Sequence, residues 1–530
     1  MKHLVILYGG DLTSHAFDTV FGSQSAFERV FDWATLFSDT IILLTKKDSR
    51  IAPSIADFCA AQAQRAHIEC IEKDFWTKAD FIAQIASSLS SHNAAHAIVS
   101  YADTPFLNKK LTEDLLDMHT RYSAEYTFAD GFPYGLAPEI IEAGSASILS
   151  ELAKTAQKAE GEKPVSRDTL FSVMRGDINS FEIETLIADE DYRLLRFEFE
   201  SSTKINFLAC KNLWEEARAQ NVEISDAYAL SNCAAKTPSV CQTVPAFYNI
   251  QISAKYNHTY CYSLASVGKN PAPKEFMALS DFKKILERIT EFSENAVISL
   301  SAFGEPLLHP EFFDFVREIL SANDENHTIS LLIETDGVLV TEELSAKIAS
   351  LASSRHAEVN WIVSLDAVEK SLYAKIHNCS EDDFEKALSS VQILEQSFPH
   401  HVYPQFMRMK TNEAQLESFY RFWNEKTSPS QGELIIQKYN SVCGILPDLK
   451  PADLSPVNRL PCWHLRRDMT ILSDGTVPLC FQLANGNAGN ILSDGIESVW
   501  LTVRKMLHSH LNQKYTDNCS ICDESYTFTF

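Results

Sequence analysis

The chain has 530 residues, of which 45% are hydrophobic and 22% charged, and its formal net charge is −25 at pH 7. This length is too great for one hydrophobic core, so we expect three domains. The composition is that of a folded globular protein, which excludes disordered and fibrous classes. Because the acidic excess repels nucleic-acid phosphates and anionic lipids, we expect neither nucleic acid nor a membrane as a partner.

The amino-terminal apolar run at residues 4–7 is too short for a signal peptide, and Gly9, Gly10 and Asp11 interrupt it. No stretch of about 18 apolar residues occurs in the sequence, so we predict no transmembrane helix. We therefore expect a cytoplasmic protein. In that reducing compartment most of the 12 cysteines would be free thiols, and only cysteines at metal-ligand spacing need a special explanation.

The first predicted domain covers residues 1–235 and alternates short aliphatic or β-branched runs with helical patterns. This alternation predicts a doubly wound α/β domain, with a parallel sheet and helices on both faces. The clearest predicted strands are residues 4–8, 40–45 and 97–101. A looser, proline-containing stretch follows residue 235 and marks the boundary.

Three segments of this domain form an ordered set: the first strand runs into Gly9 and Gly10, and the segments "FGSQSAFERVFDWA" and "YADTPF" follow. They resemble the motifs of sugar-phosphate nucleotidyltransferases, in which a glycine-rich loop lets the backbone approach phosphates. The resemblance implies that Asp103 binds a divalent metal ion. The alternative role for Asp103 is a carboxylate that caps the turn before Pro105.

The glycine loop of that family continues to an arginine and then a lysine, because phosphoryl chemistry needs cations around the transferring group. Neither residue type occurs between Gly10 and Arg29, and the loop carries Asp11, whose charge would repel a triphosphate. We therefore expect a nucleotidyltransferase-like fold with weakened or lost activity.

The second predicted domain covers residues 236–450 and contains another strand-helix series, which predicts a barrel or part of one. Ser280 is the predicted N-cap of its first helix, because the apolar residues that follow repeat on one helical face. The predicted strands are residues 247–253, 296–301, 329–334, 359–365 and 403–409.

Four segments in this domain lie at or after strand ends: "KYNHTYCYS", "SAFGEPLLHP", Thr335-Asp336-Gly337 and Ser364-Leu365-Asp366-Ala367. Together they resemble the motifs of radical S-adenosylmethionine enzymes, which implies a partial (β/α) barrel. The resemblance implies S-adenosylmethionine as a cofactor. The contact residues it implies are Gly304, Glu305, Thr335, Ser364 and Asp366. The alternative is that the glycines and Asp366 only make turns and helix caps.

The cluster-binding loop of that family has the pattern Cys-x-x-x-Cys-x-x-Cys, and in this chain Tyr256, Tyr260 and Ser263 stand at the three cysteine positions. Cys261 lies one position out of register, and one thiolate cannot hold a four-iron cluster. We therefore expect no radical-generating cleavage of S-adenosylmethionine. An unusual cluster that uses His258 and Cys261 remains an open alternative. Phe303, where the family often has glycine, would crowd a bound cofactor.

The third predicted domain covers residues 451–530 and contains four cysteines at positions 462, 480, 519 and 522, separated by 17, 38 and 2 residues. A predicted hairpin at residues 469–480, with its turn at Asp474 and Gly475, would bring them together. Four thiolates suit zinc or an iron-sulfur cluster, and unrelated thiols are the third reading.

The segments "PCWHLRRDMTILSDGTVPLC", "NAGNI", "IESVW" and "CSIC" occur in the order found in SPASM domains, the auxiliary-cluster domains of peptide-modifying radical enzymes. This resemblance implies one 4Fe-4S cluster on Cys462, Cys480, Cys519 and Cys522. Zinc remains open on chemistry alone.

The order of the three domains resembles the spiro-SPASM proteins. Our first hypothesis is a non-radical binding or electron-transfer scaffold, in which the barrel holds a peptide, a protein substrate or a small ligand. The alternative is an active enzyme, either a divergent radical S-adenosylmethionine maturase or a metal-dependent nucleotidyltransferase that uses Asp103.

Overall fold

The computed structural model describes residues 3–47, 51–324, 327–355, 357–457, 459–483 and 486–526. The chain divides into two compact units, Met1–Thr243 and Val244–Phe530. Within the described part of the chain, no helix combines the length and the apolar character needed to cross a membrane.

The first unit is built on one seven-stranded sheet with the strand order β3-β2-β1-β4-β6-β5-β7. Strand β6 runs antiparallel to both of its neighbours, and the other pairings are parallel. The strands are β1 His3–Gly9, β2 Thr40–Lys46, β3 His67–Lys73, β4 His96–Tyr101, β5 Tyr126–Asp130, β6 Glu139–Glu142 and β7 Ile183–Ile187. The helices are α1 Ala26–Ala34, α2 Ala52–Gln62, α3 Lys78–Ser91, α4 Lys109–Arg121, α5 Ala143–Glu160, α6 Thr169–Met174, α7 Lys204–Ala219 and α8 Ala227–Lys236.

Helices cover both faces of this sheet, as the sequence pattern predicts, but the prediction of a parallel sheet was wrong for β6, which runs antiparallel to β4 and β5. On β1, Leu4 and Ile6 belong to the apolar cluster that includes α3 and α5, whereas Val5 and Leu7 belong to the cluster that includes α1 and α2. Since successive strand residues point to opposite faces, a strand that is apolar at every position must be buried on both sides.

The second unit is built on a curled half-barrel, a seven-stranded parallel sheet with the order β13-β12-β11-β10-β9-β8-β14. Its strands are β8 Phe247–Ile250, β9 Asn295–Ser299, β10 Thr328–Thr335, β11 Val359–Ser364, β12 Val402–Arg408, β13 Ile435–Lys438 and β14 Asp468–Ile471, and a separate two-stranded sheet pairs β15 Thr476–Val477 with β16 Gly489–Asn490. The helices are α9 Leu279–Ser293, α10 Phe312–Ser321, α11 Glu342–Arg355, α12 Lys370–His377, α13 Glu381–Ser397, α14 Leu416–Trp423, α15 His464–Arg467, α16 Ile491–Asp494, α17 Ile496–Leu511 and α18 Asp517–Ile521.

The two faces of the half-barrel have different surroundings. Outward residues such as Ile298, Ile333 and Trp361 pack against the helices in one large apolar core. Inward residues of the strands, including Glu334 and Ser364, line a cavity. The sheet therefore places a row of polar side chains at the carboxyl ends of its strands, where barrel proteins build their sites.

Residues after 450 share the apolar core of the half-barrel. Met469 on β14 and Trp500 on α17 belong to the same cluster as Ile285 on α9. For the described residues, the predicted boundary at residue 450 therefore does not separate two hydrophobic cores. A separate SPASM domain at residues 451–530 therefore stays a prediction from sequence resemblance.

The helix predicted to follow Ser280 begins earlier. Helix α9 begins at Leu279 with Ala278 as its N-cap, and the Ala278 carbonyl accepts hydrogen bonds from the N–H groups of Asp281 and Phe282. The predicted cap at Ser280 was wrong because the backbone already turns into the helix one residue before it.

The predicted hairpin at residues 469–480 was wrong in its pairing, although its turn forms at Gly475, which has a φ of +86°. The N–H of Leu472 donates to the Thr476 carbonyl across this turn, at 2.8 Å. Strand β14, however, pairs with β8, and β15 pairs with β16. The two predicted hairpin strands, β14 and β15, belong to different sheets, because β14 pairs with the edge of β8.

Candidate functional site

A cavity of about 500 Å³ opens on the inner face of the half-barrel. Its lining joins two sets of residues that are far apart in sequence. The first set comes from the loop after β8 and from the strand ends. The second set contains five cysteines, namely Cys443, Cys462, Cys480, Cys519 and Cys522.

The four cysteines that sequence reasoning selected come from short elements around the cavity. Cys462 precedes α15, and Cys480 follows β15. Cys519 lies inside α18, and Cys522 is the C-cap residue of that helix. The fold therefore places all four predicted ligands in the lining of one cavity, and we call Cys462, Cys480, Cys519 and Cys522 together the cysteine wall.

The environment of these thiols suits a positively charged group. Burial, with contributions from the neighbouring thiols of Cys522 and Cys519, raises the pKa of Cys462 to about 12. Burial also raises the pKa of Cys480, and the neighbouring Cys462 adds to the effect. Several buried thiolates repel one another and lose hydration, and a bound metal centre removes both costs.

Backbone N–H groups point at three of the sulfur atoms. The Cys462 sulfur accepts from the N–H groups of His464 and Leu465 at the start of α15. The Cys480 sulfur accepts from Leu483, and the Cys522 sulfur accepts from the N–H of Glu524 at 3.4 Å. Such donors stabilise bound thiolates and tune the potential of iron-sulfur clusters.

The sulfur atoms of these cysteines do not form a close group. Within the described part of the chain, no three of the cysteine sulfurs lie within 4.8 Å of one another. A tetrahedral zinc ion with Zn–S distances of 2.3 Å would need its thiolates about 3.8 Å apart. A 4Fe-4S cluster takes one thiolate on each of four separate irons and needs a wider set.

Cys443 lies in the same cavity wall, and sequence reasoning missed it because no motif contains it. Its thiol lies next to Cys522, and hydrogen bonding between the two lowers the pKa of Cys522. Val442, Cys443 and Gly444 all have positive φ values of 50°, 53° and 79°. A β-branched residue rarely adopts this conformation, so the surrounding structure holds the Cys443 segment in a strained turn beside the candidate cluster site.

The loop that lacks the three family cysteines is held by its own side chains. The Tyr256 hydroxyl donates to the Asn270 side chain at 3.2 Å, and the Ser263 hydroxyl donates to the Tyr260 carbonyl at 2.9 Å. The ring of Tyr260 stacks on Tyr262 with centroids 5.1 Å apart. All of these residues except Asn270 line the cavity, so aromatic and hydroxyl groups stand where the resembled family has thiolates.

Asp366 anchors this loop. Its carboxylate accepts hydrogen bonds from the Tyr262 hydroxyl at 2.7 Å, from His377 Nε2 at 3.0 Å and from the Met407 N–H at 2.6 Å. The side chain is fully buried. Both carboxylate oxygens of Asp366 are therefore hydrogen-bonded to other protein groups. Asp366 is not among the cavity-lining residues.

The other residues for which the resemblance implies cofactor contacts, Gly304, Glu305, Thr335 and Ser364, do line the cavity. The Glu305 carboxylate accepts from the Thr335 hydroxyl at 2.9 Å and from the N–H groups of Asp336 and Leu307 at 3.1 and 3.0 Å. Burial, with a contribution from the charge of Asp336, raises the pKa of Glu305 to about 8.

Backbone packing requires glycine at position 304. A Cβ atom there would lie 1.9 Å from the backbone oxygen of Ser253. The neighbouring Phe303 ring stacks on Phe481 with centroids 4.4 Å apart. Phe481 follows Cys480 directly, so this aromatic pair connects the barrel loop with the cysteine region.

In the first unit, Asp103 is held by an arginine. Arg167 donates to both carboxylate oxygens of Asp103 at 2.8 Å, and its Nε lies 2.9 Å from a carboxylate oxygen of Glu200. The guanidinium also stacks over the Tyr101 ring at 4.3 Å. Sequence reasoning missed Arg167 because it searched only the glycine loop for a cation. The roles of Asp103 as a metal ligand or as a turn cap stay predictions beside this ion pair.

Residues 462–523 match the SPASM family model, which is described as an iron-sulfur cluster-binding domain. This match defines the class of the carboxyl-terminal segment: residues 462–523 form a SPASM-type segment, and they include all four of the selected cysteines. The chain is 36% identical over 373 residues to an uncharacterized protein of Treponema pallidum (strain Nichols), covering 68% of this chain and 98% of that protein. The chain belongs to the family of that Treponema protein.

Two solved structures are similar to parts of the chain. The crystal structure of BtrN in complex with AdoMet and 2-DOIA shares 19% sequence identity and a TM-score of 0.34, over 53% of this chain and 94% of that chain. The structure of a cytidylyltransferase from Leptospira borgpetersenii serovar Hardjo-bovis (strain JB197) shares 13% identity and a TM-score of 0.36, over 46% of this chain and 97% of that chain.

Proposed function

We propose that this protein binds one 4Fe-4S cluster on Cys462, Cys480, Cys519 and Cys522 and acts as a binding or electron-transfer scaffold rather than as a radical generator. One observation carries the proposal: these four cysteines line the same cavity as the polar strand ends of the half-barrel. A ligand in the cavity would therefore lie beside the cluster site. We place this function in the reducing cytoplasm, where the thiols stay available.

The protein groups around the four cysteines suit a cluster that gains and loses one electron. A bound 4Fe-4S cluster supplies one-electron chemistry. The N–H donors from Leu465, Leu483 and Glu524 partly neutralise the thiolates. The buried positions of Cys462 and Cys480 limit the access of water, which further adjusts the potential of such a cluster.

The loop after β8 supports the non-radical part of the proposal. Its hydroxyl and aromatic side chains replace the three thiolates, and its own thiol, Cys261, contacts the Met409 sulfur at 4.0 Å within an apolar cluster. A second cluster of the family type has no ligands in this loop. Binding of S-adenosylmethionine without cleavage stays open, because Glu305, Thr335 and Ser364 face the cavity.

The cavity suits a small ligand or a short segment of a peptide. Its volume of about 500 Å³ lies in the range of typical ligand sites. Side-chain amides of Asn249 and Gln405 and the carboxyl groups of Glu305 and Glu334 offer donors and acceptors that match a peptide backbone. A peptide or protein substrate is therefore the partner that we propose.

Anaerobic reconstitution with iron and sulfide tests the cluster assignment. We expect about four irons per chain and the visible absorbance of a 4Fe-4S cluster. The double variant Cys519→Ala, Cys522→Ala should lose both. The control is Cys59→Ala, Cys70→Ala, which removes two thiols from the first unit and should keep the full iron content. Stoichiometric zinc without iron in the reconstituted protein would overturn the assignment.

Incubation of the reduced, reconstituted protein with S-adenosylmethionine tests the non-radical part. We expect no release of 5′-deoxyadenosine above a control without protein. Release above that control would show that the protein generates radicals, and the alternative of a divergent maturase would replace our proposal.

A further inference from the structure

A second set of metal-binding side chains lies in the half-barrel unit, apart from the cysteine wall. His258, Cys379 and Asp383 each offer one ligand atom, and these atoms all lie within 4.8 Å of one another. Among the described residues, no other group of three or more ligand atoms meets this spacing. The three residues come from the loop after β8, from the connection between α12 and α13, and from the first turn of α13.

We propose that His258, Cys379 and Asp383 form a binding site for one zinc ion. Imidazole nitrogen, thiolate sulfur and carboxylate oxygen are the three ligand types that zinc accepts, and a mixed set of this kind is unsuited to calcium or magnesium. Three protein ligands leave a fourth tetrahedral position open. Because His258 also lines the cavity, we expect water or a cavity ligand to take that position.

The orientation of the His258 ring suits this role. Its Nε2 lies 3.5 Å from Oδ2 of Asp383, and its Nδ1 lies 3.4 Å from Oδ2 of Asp336. The ring therefore presents Nε2 to the proposed ion and Nδ1 to a carboxylate. Ligand histidines in metal sites commonly donate their second ring N–H to such a carboxylate, which fixes the tautomer. Asp336 is then a positioning residue rather than a ligand.

Two atoms of this arrangement are buried without a hydrogen bond. Both His258 Nδ1 and Asp336 Oδ2 are inaccessible and lack a hydrogen-bond partner, and the two residues are only 6% and 0% exposed. Leaving two buried polar atoms unpaired costs free energy. An ion on Nε2 holds the proton on Nδ1, and a shift of the ring by a few tenths of an ångström then completes the Asp336 hydrogen bond.

The charges around the site also favour a cation. Asp383 receives a hydrogen bond from Ser380 at 2.8 Å and pairs with Lys386 at 2.8 Å, but the Lys386 side chain is 57% exposed. Asp336 receives an N–H from Val338 on its other oxygen. Two carboxylates and a thiol thus surround a histidine, and a divalent ion offsets the negative charge of the two carboxylates.

The proposed zinc site differs from the alternative that the sequence left open, in which His258 and Cys261 would bind an unusual cluster. Cys261 is absent from the close group, and Cys379, which lies 118 positions further along the chain, takes the role of the thiol ligand. The loop that lacks the family cysteines therefore contributes a metal ligand of a different type.

Cobalt substitution tests the proposal on the full chain. The protein is first reconstituted with iron and sulfide, treated with a chelator to strip loose metal, and then titrated with Co²⁺. We expect one equivalent of Co²⁺ with a sulfur-to-cobalt charge-transfer band and the d–d bands of a tetrahedral ion, displaced by one equivalent of Zn²⁺. Cys379→Ser should abolish the charge-transfer band, and Asp383→Asn should weaken Co²⁺ binding at least tenfold.

The matched control is Cys261→Ser, which removes a thiol from the same loop as His258 and should leave the band unchanged. Asp336→Asn keeps all three ligands and should weaken binding by about 10- to 100-fold, the usual effect of removing an outer partner. The iron content of each variant shows, independently of Co²⁺ binding, whether the protein is folded and the cysteine wall is intact. Absence of bound Co²⁺ in the wild-type protein, or a charge-transfer band that survives Cys379→Ser, would overturn the site.

If the wild-type protein takes up no cluster, the same titration is made on the Cys519→Ala, Cys522→Ala variant, which removes competing thiols. A band that depends on Cys379 in this variant supports the zinc site even though the cluster proposal fails. A failure of one assignment is thereby distinguished from a failure of the other.

Discussion

Arg167 forms two parallel hydrogen bonds with the Asp103 carboxylate, each 2.8 Å long, inside the first unit. The residue that the sequence marked as a candidate metal ligand therefore already has a cation. Glu200 holds the same guanidinium from another side. Asp103 follows the carboxyl end of β4, so this network lies at that edge of the first sheet.

Arg167→Ala should strongly destabilise the first unit. The variant leaves the buried carboxylates of Asp103 and Glu200 without their partner, a change that costs about 3–5 kcal/mol. Urea unfolding followed by fluorescence measures the loss. The control is Arg193→Ala, because Arg193 pairs with Asp130 and Asp191 on the surface and should cost less than about 1 kcal/mol. Equal effects of the two variants would contradict the buried network.

Tyr262→Phe should destabilise the second unit more than Tyr256→Phe. Both residues lie in the loop after β8, but the Tyr262 hydroxyl donates to the buried Asp366 carboxylate, whereas Tyr256 donates to a neutral amide. A hydrogen bond to a charged group contributes about 1.5–3 kcal/mol and a neutral one about 0.5–1.5 kcal/mol. Chemical denaturation of the two variants measures the difference, and the reverse order would argue against Asp366 as the anchor of the loop.

The first unit should lose stability in mild acid because of His119. Burial, together with the neighbouring His96 and His3, lowers the pKa of His119 to about 4, whereas the unfolded chain has the ordinary value of 6.5. The unfolded state therefore binds the extra proton first, and stability falls as the pH drops from about 6.5 to about 4. The expected loss from this group is about 3 kcal/mol.

Unfolding curves of the wild-type protein and of His119→Gln between pH 4 and pH 7 measure this effect. The glutamine keeps a hydrogen-bonding side chain toward Thr127, which contacts His119 Nδ1 at 2.8 Å, but it does not titrate. We expect a flatter pH dependence in the variant. An unchanged slope would show that another group causes the acid sensitivity.

Cys443→Ser should keep the full iron content after reconstitution, whereas Cys522→Ser should lose most of it. The four cysteines of the matched segment 462–523 already supply one thiolate for each iron, so Cys443 is expected to contact the site as a hydrogen-bond donor to Cys522. Iron analysis and visible absorbance of both variants decide this point. Loss of the cluster in Cys443→Ser would mean that Cys443 replaces one of the four predicted ligands.

Short-range patterns in the sequence were sufficient for the α/β class, the central strands and the selection of four cysteines. Strands such as β1 and β11 are apolar at nearly every position, and this pattern is local because burial on both faces acts on consecutive residues. The cysteines at 462, 480, 519 and 522 were found because their spacing and neighbouring motifs are also visible along the chain.

Only the tertiary structure decided which residues surround those four cysteines. The contacts of Arg167 with Asp103, of Cys443 with Cys522, and of His258 with Cys379 and Asp383 join segments with no shared motif. The same holds for β14, which leaves its predicted hairpin to pair with β8. Local propensity and spacing act over a few residues, whereas these partners are chosen by how strands and loops pack together, so the sequence alone carries no signal for them.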